Sequence, residues 1–106
     1  MDDRILAALE TFPAPLILCD EQDFIVFANV RAQGLLLDVD VIDIPILGFI
    51  PLWHLCRPAG SQPAKTTVEV FLRNGRYQIM NAVVFKARWD GGMAFGISLL
   101  GPYAVF

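Results

Sequence analysis

The first apolar positions of the chain have helical spacing. Ile5, Leu6 and Leu9 fall on one stripe of residues 2–12, and an aspartate at the start of this segment stands where a helix cap belongs. Prolines follow directly, beginning with Pro13, and end the helix. The pattern predicts a short amphipathic helix, although an apolar stripe does not identify the surface on which it packs.

Two apolar runs, at residues 16–19 and 24–28, follow the prolines and flank an acidic tetrapeptide at 20–23. Short runs rich in β-branched and aromatic residues are typical of strands, and the acidic tetrapeptide, which cannot be buried, marks a turn. Asn29 stands where the spacing becomes helical, so its side-chain oxygen can accept from the first amides of a helix that continues through Leu37. This stretch therefore predicts a β-hairpin followed by a helix.

Residues 38–63 have no sustained periodicity. Four of the seven prolines lie here and exclude a long helix, because proline lacks the backbone N–H and its ring clashes with the preceding turn. We expect loop and isolated helical turns, one of them at residues 51–56 with Pro51 in its first position.

Three strand-like runs, at residues 66–73, 76–89 and 93–100, close the pattern. Asn74-Gly75 joins the first two and favours a two-residue type I′ turn, in which both central residues have positive φ. The resulting register pairs Leu72 with Tyr77 and divides the side chains between two faces. The face toward the core would carry Val68, Val70, Leu72, Tyr77, Ile79, Asn81, Val83 and Phe85, and the outer face would carry Phe71, Met80, Ala82 and Val84.

The last turn, at residues 90–92, leaves the orientation of the final strand open. A two-residue turn would direct Met93, Phe95, Ile97 and Leu99 outward, whereas a three-residue loop would direct them inward. With either turn, the outer face is apolar over a larger area than one short helix covers, and such a patch usually marks an interface.

The order and spacing of these elements resemble a PAS domain, the sensor module of many signalling proteins. The matching motifs are the turn containing Asp20, the A-N-x-x-A helix start at residues 28–32, R-N-G-R-Y at 73–77 and D-G-G at 90–92. The resemblance implies an α+β fold: a five-stranded antiparallel sheet with short helices over one face and an N-terminal helix. The end of the chain departs from the family, which often finishes in a D-I-T triplet where this sequence has S-L-L.

A PAS-like domain of this kind would be regulatory and not an enzyme: a sensor or dimerisation module of a signal-transduction protein such as a histidine kinase. The alternative is a small-molecule-binding or catalytic α+β domain of similar size. We expect residues 1–106 to form one domain, with an N-terminal helix at 1–12 and a core at 13–103.

Candidate site residues fall into two groups. Ligand-pocket candidates are Trp53 and His54 in the proline-rich segment, with Tyr77 and Asn81 in the register above. Dimer-interface candidates are Ile5, Leu6, Leu9, Phe71, Met80 and Val84. We expect a homodimer, because two-fold dimers are the commonest closed assembly. Other signalling domains are further candidate partners.

The sequence offers little cofactor chemistry. Haem-binding PAS domains take an axial histidine from a middle helix, but the many prolines around His54 argue against haem. Flavin-attaching relatives carry an N-C-R motif, which neither Cys19 nor Cys56 matches, so both are expected to be free buried thiols. We expect no cofactor and no metal site.

Composition and charge restrict the partners. Hydrophobic residues make up 56% of the chain, above the usual roughly 45–50%, which favours a partner surface or an internal pocket. Residues 1–43 hold nine acids and two bases, and the remainder two acids and six bases. These bases are dispersed, so no nucleic-acid partner is expected. No apolar run reaches the roughly 20 residues of a membrane span, and the acidic N-terminus is unlike a signal peptide. We expect a cytoplasmic domain.

Overall fold

Five apolar runs of the sequence become the strands of one antiparallel sheet, so the chain has the predicted α+β fold. The computed structural model describes residues 3–36 and 41–102. In chain order the elements are α1 (Asp3–Glu10), β1 (Leu16–Cys19), β2 (Ile25–Ala28), α2 (Val30–Leu36), a 3-10 turn (Ile46–Gly48), α3 (Trp53–Cys56), β3 (Ala64–Phe71), β4 (Tyr77–Trp89) and β5 (Gly92–Pro102). The strands lie in the order β2-β1-β5-β4-β3, so β1 and β5 pair although they are far apart in the chain.

Asn29 begins α2 and closes the opening hairpin, as predicted. Its Oδ1 accepts from the amides of Ala32 and Leu16, each at 3.0 Å, and its Nδ2 donates to the carbonyl of Ala14 at 2.8 Å. The side chain is fully buried, and these bonds offset the cost of burying an amide. One residue therefore ties the segment before β1 to the first turn of α2.

The proline-rich stretch forms short turns, as predicted, but its helical turn starts later than expected. Leu52 is the N-cap of α3 and Trp53 is its first residue, so Pro51 precedes the helix. Nearer the start of this stretch, residues 43–46 run beside β2. The Ile25 amide donates to Ile44 at 2.9 Å, and the Asp43 amide donates to Ile25 at 2.8 Å. The outer edge of β2 is thereby paired at Ile25.

The turn between β3 and β4 is not the two-residue turn predicted from Asn74-Gly75. Phe71 pairs with Tyr77, and the Leu72 amide donates to the Arg76 carbonyl at 2.8 Å, which leaves a three-residue loop. Gly75 has positive φ (83°), and Asn74 does not. Asn-Gly also serves such loops, in which a single residue adopts the left-handed conformation. The register therefore differs by one residue from the prediction.

A one-residue shift reverses the face of every side chain on β4, because strand side chains alternate. The residues that we predicted to point outward, Met80, Ala82 and Val84, are buried in the core. Those that we predicted to point inward, Tyr77, Ile79, Asn81, Val83 and Phe85, lie on the outer face. Val68, Val70 and Leu72 of β3 are buried, as predicted.

The turn between β4 and β5 is the two-residue kind. Trp89 pairs with Gly92, and both Asp90 (φ 50°) and Gly91 (φ 82°) have positive φ. From the sequence, a two-residue turn at this position predicts an outward Phe95. Because β4 itself is reversed, the same turn directs Phe95 inward, together with Ile97 and Leu99.

The core lies on the inner face of the sheet, under α2, the 3-10 turn and α3. A smaller apolar cluster lies on the outer face around Leu16, Leu18, Phe27 and Ala94, and Leu9 of α1 packs against it. Gly96 is part of this outer surface: a methyl group there would overlap the ring of Phe85 and come within 2.9 Å of Leu18 Cδ2. The missing side chain lets Phe85 lie flat across β5.

Candidate functional site

The segment between β2 and β3 is fastened to the sheet at the carboxylate of Asp23. Trp53 Nε1 donates to Asp23 Oδ1 at 3.0 Å, and Arg57 Nη1 lies 3.3 Å from the same oxygen. The guanidinium carbon of Arg57 is 4.0 Å from the ring centroid of Phe95, on β5. We call these four residues the Asp23 corner. Its charge-assisted and cation–π contacts hold both ends of α3 against the sheet.

The backbone of Asp23 is part of the same attachment. Asp23 has φ of 68°, a conformation that aspartate tolerates better than most residues. Its carbonyl accepts from the amide of Ile46 at 2.8 Å. The residue therefore holds the middle segment at three points: Ile46 through its carbonyl, and Trp53 and Arg57 through its carboxylate.

Trp53, which the sequence suggested as a ligand-pocket residue, does not line an open pocket. It is fully buried and forms part of the inner core with Ile50 and Ile97. A buried indole N–H requires an acceptor, and Asp23 supplies it. Trp53 thus fills the interior between the sheet and the middle segment.

Cys19 lies on β1 near the Asp23 corner and is fully buried. Burial, reinforced by the negative charge of Asp23, raises the pKa of its thiol to about 12. Burial also raises the pKa of Cys56, which is partly exposed. Both cysteines are free thiols, as predicted, but only Cys19 is buried. Since the thiolate is the reactive form, Cys19 is unsuited to nucleophilic chemistry at neutral pH.

His54 follows Trp53 on α3, but its side chain is exposed. An axial ligand to a group held on the inner face would have to point toward the sheet, and His54 does not. Within residues 3–36 and 41–102, no three His, Cys, Asp or Glu side chains are grouped to hold a metal ion. The expectation of no cofactor stays a prediction.

Tyr77 and Asn81 lie on the outer face, because of the register of β4. The ring of Tyr77 packs against Phe71, with centroids 4.9 Å apart. Asn81 is half-buried opposite Thr67, where the ladder between β4 and β5 is interrupted by a bulge. The structure therefore separates Tyr77 and Asn81 from Trp53, and the four residues form no common pocket.

The half of the outer face that Leu9 does not contact carries several apolar side chains that are exposed or half-buried. We call it the outer patch, and it consists of Phe71, Tyr77, Ile79, Val83 and Leu100. Tyr77, Ile79 and Leu100 are 58%, 51% and 55% exposed. Leu9 packs instead on the other half of this face, near Leu16 and Leu18. Leu9 therefore does not cover the outer patch.

The dimer-interface candidates divide accordingly. Phe71 lies on the outer face, as predicted, and Leu9 packs on the same side of the sheet. Met80 and Val84 are wrong candidates, because they are buried in the core of their own chain. The side chains of Ile5 and Leu6 lie outside the described part of the structure.

Asp23, Arg57 and Phe95 were not nominated from the sequence. Asp23 lies in an acidic turn, where exposure to water is enough to explain the carboxylates. Arg57 lies in a proline-rich loop. One signal was available in the sequence. Trp53 is a large aromatic residue in a loop segment, and its indole N–H, if buried, requires an acceptor from another element. That signal does not identify which carboxylate is the acceptor.

Comparison with known proteins supports the fold at the level of structure and not of sequence. No protein-family model matches the chain, and no curated protein does. The PAS domain of an HTR-like protein from Haloarcula marismortui superposes with a TM-score of 0.72 at 17% identity, covering 93% of this chain and 89% of that one. The PAS domain of nitrogen regulation protein NR(II) from Vibrio parahaemolyticus gives 0.69 at 15% identity, with 90% and 94% covered.

A third similar structure is a chain of the E. coli DhaR(N)–DhaL complex. Its TM-score is 0.65 at 18% identity, and the match covers 92% of this chain but 34% of that one. With these neighbours and the strand order β2-β1-β5-β4-β3, the chain has the PAS fold. Within residues 3–36 and 41–102, no helix is long and apolar enough to cross a membrane.

Proposed function

We propose that this domain is a regulatory PAS module, a sensor or protein-interaction unit of a cytoplasmic signal-transduction protein such as a histidine kinase, and that it acts as a homodimer. The outer patch carries the proposal. Three of its side chains are more than half exposed, and a large exposed apolar surface on a small domain usually marks an interface. The similar chain in the DhaR(N)–DhaL complex is consistent with an interaction role.

A second copy is the proposed occupant of the outer patch. Leu9 of α1 packs on the other half of the same face, and a two-fold arrangement can place α1 of one copy against Ile79 and Leu100 of the other. An isologous contact of this type closes after two copies and needs no further component. The proposed dimer interface therefore lies on the outer face, as the sequence predicted. Tyr77, Ile79 and Leu100 take the place of Met80 and Val84 in it.

Sedimentation velocity at micromolar concentration tests this interface. The wild type should be at least a dimer, and the double variant Ile79→Asp plus Leu100→Asp should sediment as a smaller species with unchanged circular dichroism. Val30→Asp plus Leu55→Asp is the matched control, because these side chains are 66% and 72% exposed elsewhere. A monomeric wild type, or equal loss of dimer in the control, would rule out the interface.

The sensing half of the proposal rests on the Asp23 corner. One carboxylate holds the segment that covers the inner face, so a small molecule that displaced Trp53 would also disturb the turn between β1 and β2. Native mass spectrometry and an absorption spectrum of protein purified from its source test for such a molecule. A bound mass that survives in Trp53→Phe but is lost in Trp53→Arg would place it under the middle segment. If neither the wild type nor Trp53→Phe carries a bound mass, the sensing half of the proposal is wrong and only the interaction role is left. The catalytic alternative has no supporting arrangement among the described residues.

A further inference from the structure

β3 is an edge strand whose outward backbone groups have no backbone partner over residues 65–69 in the described structure. The Phe71 amide points away from β4, since it donates to the Phe49 carbonyl at 2.7 Å. In an antiparallel ladder every second residue points the same way. Glu69, Thr67 and Lys65 therefore also direct their N–H and C=O groups to the open edge, while Val68 and Val70 bond to β4.

The two edges of the sheet differ in this respect. The edge at β2 is paired with residues 43–46 through the backbone of Ile25. At β3, Phe49 and Leu35 accept from Phe71 and Arg73, so one end is covered and the stretch at 65–69 is left open. An unpaired edge is a template for another strand.

We propose that this open edge pairs antiparallel with the same edge of a second copy, about a two-fold axis at Thr67. In this register Thr67 faces Thr67, and Lys65 faces Glu69 of the second copy on both sides of the axis. All three residues are exposed on the outer face, and all three present their N–H and C=O groups to the partner. The two sheets then form one continuous sheet. The proposal uses a different surface from the outer patch and stands without it.

Several antiparallel registers place the outward-pointing N–H and C=O groups of one copy opposite those of the other. Charge complementarity selects this register among them. An axis at Glu69 or at Lys65 would place like charges opposite each other, which is destabilising. An axis at Val68 would need the Phe71 amide, which is already bonded to Phe49. An axis at Thr66 would set Pro63, which has no N–H, opposite Glu69. Only the axis at Thr67 pairs Lys65 with Glu69 and completes three pairs before it reaches Pro63 and Phe71, which lie opposite each other at its ends.

Charged residues on an edge strand ordinarily discourage pairing. Here their spacing has the opposite effect. Lys65 and Glu69 are four residues apart on one strand, about 13 Å, which is too far for a salt bridge within the chain. Within residues 3–36 and 41–102 neither forms an ion pair, and each meets an opposite charge when an antiparallel copy is docked.

Cysteine cross-linking tests the register. In a hydrogen-bonded antiparallel pair the Cα atoms are about 5.5 Å apart, within the range that a disulfide bridges. Thr67→Cys should therefore form a covalent dimer on mild oxidation, whereas Lys65→Cys should not, since two copies of residue 65 lie about 13 Å or more apart in this register. An equimolar mixture of Lys65→Cys and Glu69→Cys should cross-link. Efficient cross-linking of Lys65→Cys alone, or none of Thr67→Cys, would overturn the proposal.

Charge exchange supplies a second measurement. Lys65→Glu and Glu69→Lys should each weaken edge pairing roughly tenfold, because every attractive pair becomes repulsive, and the double exchange should restore it. Thr67→Pro should abolish pairing through loss of the edge N–H without disturbing β4, and Thr67→Val should retain it. No recovery in the double exchange would refute the charge pairing.

These measurements separate the two association surfaces. Performed in the Ile79→Asp plus Leu100→Asp background, they report the edge alone. Cross-linking through Thr67→Cys that persists in this background supports the edge whether or not the outer-patch dimer exists. Cross-linking that occurs only with an intact outer patch would show that the edges are brought together by the other dimer, and the independent edge contact would be wrong.

Discussion

The two faces of the sheet are covered in different ways. On the inner face, an irregular segment with short helical turns buries a tryptophan, and one carboxylate accepts from both the indole and an arginine. On the outer face, a two-turn helix contributes Leu9 to one half, and Tyr77, Ile79 and Leu100 remain exposed. The inner face is a complete core, and polar contacts hold the covering segment against the sheet. The outer face is a core that lacks its second layer, which is the reason to expect a partner there.

The comparison predicts that truncations on the inner face destabilise the domain far more than those on the outer patch. Trp53→Ala should lower the free energy of unfolding by about 3–5 kcal/mol, since it removes the largest fully buried side chain and leaves a cavity. Ile79→Ala, measured at a protein concentration low enough to prevent dimerisation, should change it by less than about 0.5 kcal/mol. Urea denaturation measures both. Similar costs for the two variants would mean that the faces do not differ as described.

Gly96 locates the part of the outer face that is already closely packed. Gly96→Val should cost about 1–3 kcal/mol, because its side chain overlaps the ring of Phe85. Phe85→Ala should make the glycine substitution much less costly, as expected for two residues that share one space. Gly48→Ala is the control, since a methyl group there meets nothing within 4 Å. Additive costs for the Gly96 and Phe85 changes would contradict the contact.

The Asp23 corner should contribute stability through its acceptor and its charge. Asp23→Asn retains an acceptor for Trp53 but loses the ion pair with Arg57, and we expect a loss of about 1 kcal/mol. Asp23→Ala leaves the indole N–H unpaired, and the loss should rise to about 1–3 kcal/mol. Thermal denaturation ranks the variants. Glu21→Gln, in the same turn and exposed, controls for the general effect of removing an acid, and an equal cost there would show that the corner is not special.

Cys19 has no effect at neutral pH and provides a change of stability that appears only at alkaline pH. Its pKa is about 12 in the folded chain, against about 8.5 in an unfolded one. Between these values the unfolded state loses the proton while the folded state keeps it. The unfolded state then binds fewer protons, so the free energy of unfolding falls as pH rises. Below about pH 8 this thiol should have no influence. Denaturation midpoints from pH 8 to 11 should decline less steeply in Cys19→Ala than in the wild type, and parallel slopes would show that Cys19 does not titrate differently.

The hairpin-then-helix at the start of the chain and the three-stranded meander at its end were predictable because they depend on local chemistry. Asn29 is a good N-cap in any setting, and runs such as residues 16–19 have no stable alternative to a buried strand. The prediction of faces on β4 failed for a reason that is also local. Asn74-Gly75 and Asp90-Gly91 are both turn dipeptides, and the sequence does not distinguish the three-residue loop at the first from the two-residue turn at the second.

The sequence by itself determined the order of elements, the PAS-like α+β fold and the apolar excess of the chain, because hydrophobic periodicity and caps act over a few residues. Only the tertiary structure decided which face of β4 is buried, since a register is chosen by the packing of Met80, Ala82 and Val84 against the middle segment. It also decided that Asp23 meets Trp53 and Arg57, residues 30 and 34 positions away. Contacts at such separations depend on how the chain returns to itself, and no local pattern records that path.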